Sequence, residues 1–104
     1  MSSLETEIRE AFAERVTLSD ETLNVELVDG RTISVPLSWF PRLAQARSAE
    51  RENFRLIGMG EGIHWPDLDE DISIRSLLAG RRSAESQESL RQWLKRRKDS
   101  QRAE

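Results

Sequence analysis

Two alternating apolar runs, Leu23-x-Val25-x-Leu27 and Ile33-x-Val35, flank the dipeptide Asp29-Gly30. Alternation with a period of two marks a half-buried strand, and Asp-Gly between two such runs is a strong hairpin signal. Register narrows the geometry. A two-residue loop would set Val25 opposite Ser34 and Leu27 opposite Thr32, sending the apolar residues of the two strands to opposite faces. A three-residue loop, Val28-Asp29-Gly30, sets Leu23 against Val35, Val25 against Ile33 and Leu27 against Arg31, so the apolar faces coincide. It also puts Gly30 at the left-handed position such loops require. The spacing therefore predicts a type I turn with a bulge at Gly30.

The flanking segments supply helices and further strands. Residues 4–15 read as a helix, with a capping box from Ser2 to Glu5 and a stripe of Leu4, Ile8, Ala11 and Phe12. Val16 and Leu18 begin the alternation, with a turn at Asp20-Glu21. Ser38 is the expected cap of the next helix, with Pro41 in its first turn, and Ser48 the cap of a short one through Asn53. Phe54 to Ile57 reads as a strand and Gly58 to Gly62 as a loop. Ile63-His64-Trp65 is extended, and Asp67 to Asp71 is an acidic loop. Ser73 caps a short helix over 74–79 that Gly80 stops. The last segment, Ala84 to about Lys98, reads as a helix capped by Ser83, with a narrow stripe of Leu90, Trp93 and Leu94, and a frayed end beyond Asp99. The expected fold is α+β: a small antiparallel sheet with short helices packed on it and a helix at each terminus. Residues 1–82 form one domain, and 83–104 a basic helix with a frayed tail.

A chain of 104 residues suits one domain with a modest core. It has no cysteine, which excludes disulfides, thiol catalysis and the common structural zinc sites. The first residues, MSSLETEIRE, are acidic and lack the apolar run of a signal peptide. No apolar stretch reaches the ~18 residues of a membrane span. A cytoplasmic protein is expected. Charge is uneven: residues 1–75 carry 8 Lys/Arg against 15 Asp/Glu, and residues 76–104 carry 8 against 4. An acidic body thus precedes a basic tail.

Several segments in order resemble the bacterial family known as domain of unknown function 2442. They are Leu27-Val28-Asp29-Gly30-Arg31, Val35-Pro36-Leu37-Ser38-Trp39-Phe40-Pro41-Arg42-Leu43, Gly60-Glu61-Gly62-Ile63-His64-Trp65-Pro66, Asp71-Ile72-Ser73 and Leu77-Leu78-Ala79-Gly80. The resemblance covers about residues 15–80. It implies a small α+β fold without recognised catalytic residues. Relatives often sit beside a second small family, domain of unknown function 4160, in pairs that look like toxin–antitoxin modules. Some carry a C-terminal helix-turn-helix domain, and this chain departs there, with one basic helix after Gly80.

The candidate chemistry is sparse. Gly58-x-Gly60-x-Gly62 lacks the following helix and the Lys-Ser/Thr of a phosphate loop, and Glu61 would repel an anion, so a tight loop is the preferred reading. Asp67, Asp69 and Asp71 open like a calcium loop, but Ile72 and Leu78 occupy the positions that need Gly and Glu. His64 is the lone histidine, too few for a metal site and without an evident nucleophile for a general base. No cofactor, no metal and no enzymatic activity are expected. The expected function is a protein-interaction domain, the antitoxin-like member of a two-gene pair. Its contact surface would be Glu61, His64, Trp65, Asp67, Asp69 and Asp71, with Trp93 as a second one. The partner would be another small protein, of the toxin-like domain-of-unknown-function 4160 type. A homodimer through the terminal helices, Trp93 meeting Ile8 and Phe12, is a second expectation. The alternative is a nucleic-acid accessory protein with Arg81, Arg82, Arg91, Lys95, Arg96, Arg97 and Lys98 on phosphates.

Overall fold

The computed structural model describes residues 11–102. Strands β1 (Ala13–Leu18), β2 (Thr22–Leu27) and β3 (Thr32–Pro36) form one antiparallel meander. A 3-10 turn (Leu37–Trp39) and two short helices, α1 (Pro41–Ala44) and α2 (Ser48–Glu52), lead to a second meander. Its strands are β4 (Arg55–Ile57), β5 (Gly62–Trp65) and β6 (Glu70–Ser73). Helix α3 (Ile74–Leu78) follows, then an irregular connector and the long helix α4 (Gln87–Arg102). The fold is α+β, with two three-stranded sheets where one was expected.

The first hairpin has the register that burial demands. Leu23 pairs with Val35 and Val25 with Ile33. The Leu27 N–H donates to the Arg31 carbonyl at 2.7 Å, and Gly30 takes φ 97°. On the other side of β2, β1 pairs through a bulge between Ala13 and Arg15. The expected helix over 4–15 is therefore wrong at its end: Ala13, Glu14 and Arg15 are strand. There β2 offers an unpaired edge, and the backbone bonds gained by pairing outweigh the weak helical preference of three residues. Residues 4–10 of that helix lie outside the described residues.

Two caps also differ. Ser38 lies within the 3-10 turn, because the Leu37 N–H donates to the Glu21 carbonyl and holds the chain against β2. Ser48 is the first residue of α2, one place past the cap, where the Arg47 N–H donates to Glu50 Oε1 at 2.8 Å. Arg51 stops α1 from a distance: its Nε donates to the Leu43 carbonyl and its Nη2 to the Ala44 carbonyl. Ser73 does cap α3, accepting the Ser76 N–H at 2.9 Å, and Gly80 ends it at φ 74°. Helix α4 starts three residues later than expected, at Gln87. Ser86 rather than Ser83 receives the first turn's N–H, from Ser89, and the helix runs on past Asp99 to Arg102. Glu70 and Asp71, read as loop, belong to β6, which gives β5 a second ladder partner.

One core joins the two sheets. Leu23, Val25, Leu27 and Val35 of the first sheet and Ile63, Trp65 and Ile72 of the second belong to one buried cluster, with Leu37, Leu43, Leu68 and Leu77. The glycine loop forms the seam. The Ala13 N–H donates to the Gly60 carbonyl at 2.7 Å, and a Cβ on Gly60 would lie 2.4 Å from the Ala13 oxygen. Only glycine fits that approach, which explains the loop without any bound phosphate.

Candidate functional site

Alternation in the second sheet sorts its residues onto two faces. Ile63 and Trp65 point into the core, and their partners Ile72 and Glu70 share that side. Gly62 and His64 point outward, with Arg55, Ile57, Asp71 and Ser73 beside them. The outer face thus carries a cross-strand row, Arg55–His64–Asp71. The His64 Nδ1 meets the Asp71 carboxylate at 2.5 Å. Ile57 lies over Gly62, whose absent side chain gives it room.

The expected contact residues do not form one patch. Glu61 is exposed at one end of β5, in the glycine loop. Asp67 and Asp69 are exposed at the other end, Asp67 accepting the Asn53 Nδ2–H at 2.9 Å and Asp69 taking φ 50° in the turn. His64 and Asp71 lie between them. Trp65 has no exposed surface: its Nε1 donates to the Arg51 carbonyl and its ring sits 6.0 Å from Phe54. It is a core residue and offers a partner nothing. Trp93 is buried too, at 6% exposure.

What buries Trp93 is a pair of ion-paired arginines. The Arg42 guanidinium carbon lies 5.1 Å from the Trp93 ring centre and that of Arg97 4.5 Å. Arg42 is held by Glu85 at 2.6 Å and donates to the Leu68 carbonyl. Arg97 forks onto both oxygens of Glu50, at 2.7 and 2.8 Å. These cations attract the negative face of the ring, and the bidentate pairs fix their positions. The Arg97 hydrogen bonds hold the Glu50 carboxyl down at about 2. Helix α4 is thereby clamped to the body at α1 and α2. Phe12, its expected mate, is only half-buried, and Ile8 lies outside the described residues.

Glu70 is the odd group of this region. Its core-facing side of β6 desolvates it, pushing its pKa up to about 7 against the pull of Arg42, with Glu85 adding repulsion. No pattern along the chain singled out Arg42, Glu50, Glu70 or Glu85. Arg42 and Glu85 stand 43 residues apart, and Glu50 and Arg97 47, distances over which only the fold brings charges together.

Of the basic candidates, Arg97 is committed to Glu50, while Arg82 rests over Trp39 at 4.8 Å. Arg81, Arg91, Lys95, Arg96 and Lys98 are exposed. Arg91, Lys95 and Lys98 follow one another at helical spacing along α4. No described helix is long and apolar enough to cross a membrane.

Two antiparallel meanders on a shared core, linked and capped by short helices, define a small α+β domain. The chain belongs to the family described as protein of unknown function DUF2442, which matches residues 13–83. It is similar to a crystal structure of a protein of unknown function from Rhodospirillum rubrum ATCC 11170. That pair is 28% identical with a TM-score of 0.63, covering 73% of this chain and 94% of the other. The solution NMR structure of an uncharacterized protein from Chromobacterium violaceum shares the fold, at 19% identity and a TM-score of 0.63 over 78% of this chain and 77% of that one. No curated protein matches the sequence.

Proposed function

We propose that this chain is a non-catalytic, cytoplasmic protein-binding module that adds a partner's extended segment to the free edge of β4. The observation that carries this reading is the exposed apolar edge strand, whose outer side no strand among the described residues pairs. β4 ends the order β4-β5-β6, and its Leu56 and Ile57, with Met59 beyond, are 36, 41 and 78% exposed. Protein edges normally carry charge or cover, and an uncovered apolar edge is a template for strand addition. The charge around this sheet suits a basic segment: Glu61 and Asp67 are exposed in the loops at its two ends and Asp71 on β6, and residues 1–75 hold 15 acidic against 8 basic residues. The association of family relatives in two-gene pairs makes the antitoxin-like role, with a small toxin-like protein of the domain-of-unknown-function 4160 type as partner, the specific form of this proposal.

The test is a tagged pull-down from host lysate with mass spectrometry, repeated with Leu56→Asp and Met59→Asp. A stoichiometric small protein is expected with the wild type. Hydrogen exchange of the complex should show new protection on β4, and both variants should lose the partner while staying folded by circular dichroism. Retention by both variants, or no protection of β4, would sink the proposal.

The exposed row Arg91, Lys95 and Lys98 favours one other reading, nucleic-acid binding along α4. Its signature is salt: affinity should fall with a log–log slope of about −0.9 per phosphate contacted. A nucleic-acid-rich eluate without a protein partner, with a slope reduced by Lys95→Gln, would replace the first reading by this one.

A further inference from the structure

A groove of 390 Å³ opens beside β6, between the start of α3 and the connector to α4. Phe40 and Ile72 border it but are buried in the core, and Glu70, Arg81 and Arg82 give it charges of both signs. Those charges do not neutralise each other. Among the described residues, Glu70, Arg81 and Arg82 enter no ion pair within 4.0 Å and no side-chain hydrogen bond. The charged neighbours are engaged elsewhere. Asp71 is taken by His64, while Arg42 is taken by Glu85 and the Leu68 carbonyl. Arg82 is held in place by the Trp39 ring under its guanidinium.

We propose that this groove binds a small zwitterion, an amino acid or dipeptide. Its ammonium would sit on the Glu70 carboxylate and its carboxylate on Arg81 and Arg82. A half-buried carboxylate without a partner gains most from a cation that replaces its lost water, and the free guanidinium groups fit a planar carboxylate. A lone anion is opposed by Glu70 and a lone cation by the arginines, so a ligand carrying both signs answers the whole lining. The volume agrees in scale, since small-molecule sites begin at roughly 300 Å³. The site is separate from the β4 edge, and its failure would leave the protein-binding reading untouched.

The experiment titrates isotope-labelled full chain at pH 8 with leucine and with leucyl-leucine, following amide shifts. N-acetyl-leucine and 3-methylbutylamine, each lacking one charge at this pH, are the controls. Saturable shifts at millimolar ligand are expected, centred on residues 70–73 and 81–83. Each singly charged analogue should bind about tenfold more weakly or worse, the cost of one lost charge-assisted contact. Glu70→Gln should erase the preference for leucine over N-acetyl-leucine, and Arg82→Gln the preference over 3-methylbutylamine. If a variant fails to fold, the singly charged analogues on the wild type decide the matter. No saturable shift at the groove, or singly charged analogues that bind as well as leucine, would overturn the proposal.

Discussion

At the scale of single residues, backbone geometry and burial make the sharpest predictions. Gly30 and Gly60 both hold positive φ, but only Gly60 is hemmed in. Gly30→Ala should cost about 1–2 kcal/mol, the strain of a left-handed alanine in open space. Gly60→Ala adds a collision with the Ala13 backbone and should cost about 3 kcal/mol or more. Urea denaturation of the two variants checks the contrast; equal costs would mean the seam is not as tight as drawn. Glu70 gives a pH prediction. Its folded pKa of about 7 exceeds the ordinary 4.5, so the folded state holds the proton more strongly. Stability therefore falls as pH rises from 4.5 through 7. Glu70→Gln should be close to neutral at pH 4 and more stable than wild type at pH 8. A constant difference across that range would show that desolvation of this carboxyl is unimportant.

At the scale of elements, α4 poses the main question. An isolated helix of sixteen residues is marginal in water. Its order comes from Trp93, Leu90 and Leu94 on the body and from the arginine pairs beside the ring. Trp93→Ala should cost about 3–5 kcal/mol of docking free energy. The loss should appear as fast hydrogen exchange along α4 while β2 and β5 stay protected. The Glu50–Arg97 pair has the opposite pH sense from Glu70. Its carboxyl titrates at about 2 in the fold against 4.5 ordinarily. The stability it contributes is present above 4.5 and is lost as pH falls through 2. The destabilisation by Glu50→Gln, on the order of 2 kcal/mol at pH 7, should fade towards pH 2 in chemical denaturation. The first hairpin and α3 were legible because their signals are local: Asp29-Gly30 with its register, and Ser73 with Gly80. β6 was not, because Glu70 and Asp71 look like loop until β5 supplies the pairing.

At the scale of the whole molecule, a single core crosses both sheets, and the Ala13–Gly60 backbone bond stitches them together. The body should therefore melt as one unit. Calorimetry should give a single transition with matching calorimetric and van't Hoff enthalpies, and two resolved transitions would mean the meanders are independent. The arrangement also separates roles. The β4 edge, the groove beside β6 and the basic side of α4 are three different surfaces, and a substitution in one should leave the others intact.

Period, turn chemistry and composition by themselves determined the α+β class, the first hairpin to the residue, the extended run into Trp65, the two ends of α3 and the basic amphipathic helix. Each rests on interactions within a few residues of chain or across one turn. Only the tertiary structure decided that the strands divide into two sheets and that Ala13 to Arg15 join the first. It also withdrew Trp65 and Trp93 from the surface and gathered Arg42, Glu50, Glu85 and Arg97 around the last helix. Those outcomes depend on burial and on charges brought together from more than forty residues apart. Desolvation and long-range pairing are properties of the packed chain, and no local pattern encodes them.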